Sequence, residues 1–339
     1  MTLTQTAILT KQVIVASIIT LILSIGGVVG YQIWYANYLS SLPPVEEKPD
    51  LRFGALPQPN FPKSNVTSSN FTYSLDTVTG SLPEFKKIIK VYYVPRSYAT
   101  LLSGEKSQNL ASKFLIKSSP QILSETVYKF EENNKSLTVN LDTGNFKFIN
   151  TASISAQVLG NDNNLTANFL SMLQNLSGNS DTFGRTKITY LKIIENDPQE
   201  VNRENANAAE ISIWPQAIEE IEIFTPNFNK SLINARVVGA AEKIENYKAI
   251  NYTNWTIDTT TFATYPLKPV LQAFEDLKSG KGIVVKEPFK PQVSISAVSL
   301  GYYLSDEYSQ YLLPIYIFEG PEFVSYISAI TESELTPAN

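Results

Sequence analysis

Between Gln12 and Val45 the chain carries no charged residue, and its apolar positions run on without a polar face. The heart of the run is Val13-Ile14-Val15-Ala16-Ser17-Ile18-Ile19-Thr20-Leu21-Ile22-Leu23-Ser24-Ile25, and it continues through Gly26-Gly27-Val28-Val29-Gly30 to Tyr35. This pattern predicts a transmembrane helix over 12–36 after a short tail, 1–11. At about 1.5 Å per residue it covers a hydrocarbon core about 30 Å thick. Tyr31, Trp34, Tyr35 and Tyr38 gather at its far end, where amphipathic rings favour the headgroup layer. A cleaved signal peptide would carry an apolar region of only about 7–15 residues before a small-x-small site. Lys11 on one side and Lys48 and Arg52 beyond the other leave the positive-inside count nearly even. An uncleaved signal anchor is therefore expected: single-pass, N-terminus inside, at the plasma membrane, with the C-terminal region extracytoplasmic. Gly26 and Gly30 form a GxxxG pair that lets two helices approach closely, so a homodimer through this face is a candidate.

Beyond the helix the period changes. Residues 37–70 hold Pro43, Pro44, Pro49, Pro57, Pro59 and Pro62 with little periodicity, and read as a stalk with polyproline-like stretches. After it, a short helix followed by antiparallel strands is expected three times. The first unit, 71–150, has a helix near 106–116 and strands over 125–131, 136–142 and 145–150, the first two joined by the turn Glu132-Asn133-Asn134-Lys135. The second, 151–258, has a helix near 165–176 with Leu165, Phe169, Leu170, Leu173 and Leu176 on one face, then strands over 186–194, 211–214, 221–224 and 232–238. The third, 259–334, has a helix over 267–278 with Val270, Leu271, Phe274 and Leu277 together, stopped at Gly280. A meander of strands over 293–304, 311–318 and 323–330 closes it, with Pro314 pointing to a bulge or an edge position. Helices on one face of antiparallel sheets define an α+β fold.

Composition narrows the chemistry. Hydrophobic residues are 43% of the 339, enough for packed cores, while charged residues are only 17%. Net charge is −5 with no basic stripe to neutralise phosphates, so nucleic acid is not an expected partner. Cysteine and histidine are both absent. That excludes disulfides, thiol nucleophiles, iron–sulfur clusters and the Ser-His-Asp triad, and leaves few routes to a transition-metal site. No cofactor and no metal is expected.

Two stretches, Phe71-Thr72-Tyr73-Ser74-Leu75-Asp76-Thr77-Val78-Thr79-Gly80 and Leu137-Thr138-Val139-Asn140-Leu141-Asp142-Thr143-Gly144-Asn145-Phe146, both run strand, Asp-Thr, Thr-Gly turn. They resemble the end of PepSY-type modules. Thr264-Tyr265-Pro266-Leu267, Leu277-Lys278-Ser279-Gly280, Val298-Ser299-Leu300-Gly301-Tyr302-Tyr303 and Leu312-Leu313-Pro314-Ile315-Tyr316 together are similar to the extracytoplasmic part of the YycH and YycI family. The resemblance covers the topology and about a third of the ectodomain. It implies one N-terminal membrane helix, PepSY-like modules and regulation through protein contacts, without catalysis.

Asp142-Thr143-Gly144 invites an aspartic-protease reading, in which two carboxylates share a proton and activate water. Its only partner, Asp258-Thr259-Thr260, lacks the glycine, and Asn145 follows the first loop where the protease pattern has Ser or Ala. A turn accounts for Asp and Gly without chemistry. Glu131-Glu132 and Glu219-Glu220-Glu222 read as solvated faces, and sequons such as Asn65, Asn70, Asn251 and Asn254 are what this much Asn, Ser and Thr yields by chance. No catalytic residue is assigned. Tyr302, Tyr303, Tyr308 and Tyr311 are the candidate partner surface, since tyrosine offers large contact area at low entropy cost. Tyr308 is expected at the hairpin tip. The expected function is a membrane-anchored extracytoplasmic binding or regulatory protein acting on another envelope or membrane protein. The alternative is an envelope hydrolase or a receptor for a peptide or glycan.

Overall fold

The structure is a computed structural model that describes residues 3–41, 48–153, 158–177, 183–194 and 197–337. The chain divides into two units, Met1–Lys48 and Pro49–Asn339.

The first unit is one helix, α1 (Leu3–Ser41). Its segment Val15–Tyr38 is long and apolar enough to cross a membrane, and none of it is buried against protein. Tyr31 stacks on Tyr35 at 5.9 Å and Trp34 on Tyr38 at 5.7 Å, each pair one turn apart. The helix outruns the expected 12–36 at both ends. No Gly or Pro interrupts it before Gly26, so the tail joins it. Residues 1–2 of the tail and 42–47 of the expected stalk lie outside the described residues.

In chain order the second unit contains β1 (Thr72–Leu75), β2 (Ile88–Tyr93), α2 (Ser103–Lys113), β3 (Gln121–Ser124), β4 (Val127–Glu132), β5 (Lys135–Asn140), β6 (Phe146–Asn150), α3 (Asp162–Ser177), β7 (Phe183–Ile194) and β8 (Asp197–Glu200). Then come β9 (Ala208–Pro215), β10 (Ile223–Phe224), β11 (Ile233–Val238), β12 (Tyr247–Tyr252), β13 (Asp258–Pro266), α4 (Val270–Lys278), β14 (Ile283–Lys286), β15 (Gln292–Ile295), β16 (Ala297–Tyr303), β17 (Tyr311–Gly320) and β18 (Phe323–Ser328). The architecture is α+β.

A nine-stranded antiparallel sheet runs β3-β4-β5-β6-β12-β11-β9-β7-β8. α2 and α3 share a core with it, in which Phe114, Phe169 and Leu173 meet Phe130, Phe148 and Ile250. The helices were legible because their apolar residues recur at helical spacing: Leu165, Phe169, Leu173 and Leu176 are all buried. The Asn161 side chain accepts the Asn164 N–H at 2.8 Å and starts α3. The β4–β5 hairpin turns at Asn133, which has φ 53°, with Glu132 opposite Lys135.

A second sheet runs β10-β16-β17-β18-β14, with β2 joined to the start of β17 and β13 to β2. The closing meander stands, with β16-β17-β18 antiparallel. The expected strand over 293–304 is two strands, because β15 turns away to pair in parallel with β1. On this sheet α4 buries Phe274 and Leu277, and Phe274 stacks on Phe318 at 5.9 Å. Gly280, at φ 95°, closes α4: its N–H reaches the Leu277 carbonyl and that of Lys281 the Asp276 carbonyl, a Schellman motif. Leu271, expected on the same stripe, is instead exposed.

Three expectations are corrected. The stalk does not extend to 70. From Pro49 onward the chain is part of the second unit, and Leu56 is fully buried and bridged to Leu335. Pro57 and Pro62 are half-buried and Pro59 is buried, so proline there lines a packed strip instead of spacing a linker. The expected unit boundaries also do not follow the sheets: β1 and β2 belong with the C-terminal strands, and residues from 71–150 and 151–258 build one sheet. Finally, Pro314 is neither a bulge nor an edge. Tyr311 and Leu312 pair with β2 and Ile315 onward with β18, so proline sits where β17 changes partner and its missing N–H breaks no ladder.

Candidate binding surfaces

The tyrosines expected at a surface are mostly inside. Tyr302 and Tyr303 are buried, the first donating its hydroxyl to the Lys90 carbonyl at 2.9 Å and the second to Asn60 at 3.0 Å. Tyr302 also meets the Tyr92 ring edge-on at 5.5 Å. Burial pushes both phenols well above the ordinary tyrosine range. A tyrosine can be a core residue when its hydroxyl finds a carbonyl, which is what happens here. Tyr308 and Tyr311 are half-buried. Tyr308 donates to Val94 at 2.9 Å and meets Trp255 edge-on, and Tyr311 stacks on Phe53 at 4.8 Å. Tyr302 and Tyr303 are therefore withdrawn from the candidate partner surface.

Asp142-Thr143 sits in the turn between β5 and β6, and Asp258-Thr259 at the irregular start of β13, where the register against β2 shifts. The Asn140 side chain accepts the N–H groups of Asp142 and Thr143 at 3.0 and 3.1 Å, and Asp142 accepts the Ala99 N–H at 2.8 Å. Gly144 takes φ 74°. Asp258 accepts from the Thr260 hydroxyl at 2.6 Å and from the Thr260 and Thr261 N–H groups, which hold its carboxyl down at about 2. Among the described residues no hydrogen bond joins the two carboxylates. The glutamate clusters are paired outward: Glu219 with Lys90, Glu131 with Lys129 at 2.6 Å, and Glu222 with Arg185 at 3.1 Å. Arg185 lies over the rings of Trp214 at 4.4 Å and Phe224 at 5.3 Å. Burial raises the nearby Glu319 carboxyl, Arg185 draws it back down, and Glu222 raises it again. Among the described residues no three His, Cys, Asp or Glu side chains gather as a metal site.

Concavities open among the described residues at the Asp142 turn and beside α4, and also between Ile218 and Trp255 and at the β4–β5 hairpin. A polar cavity of about 320 Å³ sits at the Asp142 turn, between Lys106 of α2, Asn140, Tyr98 and Tyr252. A wider apolar groove of about 760 Å³ runs beside the start of α4, walled by Leu75, Leu82, Phe85, Val270 and Leu271. Its floor is Tyr316, which packs on Phe85 at 5.3 Å and donates to the Lys268 carbonyl at 2.7 Å. The Lys268 amine is buried and held by Asp276 at 2.6 Å, so it places no free charge in the groove. Sequence reasoning missed this groove because residues 81–87 have no periodicity. The only signal was Leu271, an apolar residue on α4 beyond what the sheet can cover.

No protein family and no curated protein matches the chain. Six chains of solved structures are similar, two of them as follows. One is an uncharacterized protein from Eubacterium rectale ATCC 33656, 11% identical over 77% of this chain and 88% of its own, with a TM-score of 0.34. The other is the Bacillus megaterium YpeB C-terminal domain, 12% identical over 70% of this chain and 95% of its own, with a TM-score of 0.32. Likenesses at these scores carry no inference about this chain.

Proposed function

We propose that the protein is a single-pass membrane-anchored, extracytoplasmic regulatory module that works by binding another envelope or membrane protein, without catalysis. The apolar groove beside α4 carries the reading. It is concave, wide enough for an extended or helical segment of a partner, and offers Leu82, Phe85 and Leu271 as anchors with Lys86 exposed at the rim. Its walls hold no converging carboxylates of the kind hydrolysis would use. The resemblance of the C-terminal segment to the YycH and YycI family supports the same class of function. A second copy of this chain is the expected partner of the Gly26–Gly30 face of α1, which is open on the helix. The polar cavity at the Asp142 turn is the place for the alternative, an envelope hydrolase or a receptor for a peptide or glycan.

The test is photocrosslinking in native membranes from a probe at Leu271, with Phe289, exposed elsewhere on the unit, as control. A discrete membrane-protein adduct formed from 271, absent from 289 and lost in Leu82→Asp, is expected. Identical adduct patterns at the two positions would remove the groove from the mechanism.

A further inference from the structure

The loop between β2 and α2 exposes its apolar residues. Leu101 is fully exposed, and Tyr98 and Leu102 are more than half exposed. The patch continues: Tyr128 lies against Gly104 just beyond Leu102, and its register partner on β3 is Ile122, exposed together with Leu123. Arg96 and Lys106 flank the loop, with Glu105 beside them. Exposed paired leucines have no part in either sheet's core. They do suit the boundary between headgroups and acyl chains, where aromatic and aliphatic side chains insert while neighbouring cations meet phosphate.

Where the tether joins the unit says what covers this patch. The folded unit begins at Pro49, only a few residues after Ser41 ends α1. Asp50 and Leu51 bond to Thr264 on β13, and Phe53 stacks on Tyr311. Tyr311 meets Tyr93 at 6.4 Å, and Tyr93 is the last residue of β2, from which the loop springs. The tether and the root of the apolar loop thus share one end of β17. Phe289, also exposed, follows β14 at the opposite end, because Lys286 pairs with Val324 and Gly320 with Phe323.

We propose that the loop carrying Tyr98, Leu101 and Leu102 docks on the bilayer into which α1 is inserted, making a second lipid contact that orients the folded unit. The proposal rests on α1 being a membrane anchor. The chain has no cysteine, so a single Cys placed at 101 or 289 of the full-length protein can carry an environment-sensitive fluorophore without background. The labelled protein is reconstituted in nanodiscs of phosphatidylcholine and phosphatidylglycerol containing headgroup-region spin-labelled lipid. Nanodiscs present both leaflets, so orientation does not enter. The expected result is at least about twofold more quenching at 101 than at 289, falling to the 289 level when Leu102→Asp is added, as apolar insertion requires. Equal quenching at the two positions, with protein and lipid co-eluting, would overturn the docking and leave the anchor intact. Failure to co-elute with lipid would overturn the anchor and the docking together.

Discussion

Beginning the soluble fragment at residue 71, where the expected stalk ends, should fail, and beginning it at 49 should succeed. Leu56 is fully buried; its N–H reaches the Glu334 carbonyl at 2.8 Å, and the Thr336 N–H returns to its own carbonyl at 2.7 Å. Phe61 packs on Tyr303 at 5.0 Å, Phe53 on Tyr311, and the Ser68 hydroxyl donates to the Leu277 carbonyl at 2.8 Å. Leu56→Ala alone should cost about 2–5 kcal/mol, the range for a buried leucine whose cavity cannot close. Removing Leu56 and Phe61 together approaches about 5–10 kcal/mol by the same scale, against a total stability of about 5–15 kcal/mol. The assay is urea unfolding of fragments 49–339 and 71–339, followed by fluorescence of Trp214 and Trp255 and by far-UV circular dichroism. The 49–339 fragment should unfold cooperatively, Leu56→Ala should lower its midpoint, and 71–339 should show no cooperative transition. If 71–339 unfolds at the midpoint of 49–339, the strip from 49 to 70 is a linker after all and the packing argument is wrong.

Phe274→Ala removes a ring stacked on Phe318 and should cost about 3–5 kcal/mol in the same urea assay. Gly301→Ala would put its new carbon 2.4 Å from the Phe224 ring and 2.9 Å from Ile317, so overpacking of about 1–3 kcal/mol is expected; a neutral result would mean that β10 is not seated on β16. Asp142→Ala should lose one hydrogen bond to Ala99, about 0.5–1.5 kcal/mol, and peptidase activity present in the native chain but absent from this variant would contradict the non-catalytic reading. The Asp258 carboxyl is held at about 2, below its ordinary 3.8, so its contribution is complete above about pH 4 and lost as pH falls towards 2. The stability gap between native chain and Asp258→Ala should shrink across that window in acid titrations, and a gap constant from pH 5 to pH 2 would refute it.

The helices and the closing meander were legible because their signals are local. Apolar spacing marks α3 and α4 within a dozen residues, and Gly280 marks the end of one of them. What stayed hidden depends on pairing across long separations. β12 (Tyr-Lys-Ala-Ile-Asn-Tyr) and β13 (Asp-Thr-Thr-Thr-Phe-Ala-Thr-Tyr-Pro) pair with β6 and β2, more than ninety residues back, and neither alternates cleanly between apolar and polar. The parallel pairing of β1 with β15 has no sequence signature. Tyr302 and Tyr303, expected at a surface, lie inside, because nothing in Tyr302-Tyr303 shows that Lys90 and Asn60 present carbonyls to them. The groove needed the 81–87 segment to fold back on α4, and that is a tertiary event.

The two sheets are knitted in a way that decides how the unit should respond to damage. β9 and β11 are neighbours in the nine-stranded sheet, yet β10 between them crosses over to pair in parallel with β16. β12 lies in the nine-stranded sheet, and β13, a few residues later, lies in the other. Gly301 has no side chain because the Phe224 ring occupies that space, so the crossing strand is seated and not merely adjacent. Arg185 of β7 then meets Glu222 beside β10 and acts on Glu319 of β17, an ionic contact across the same seam. Each sheet therefore depends on chain that leaves the other. Single-transition unfolding follows from that connectivity, and neither sheet can be excised from the other as a module.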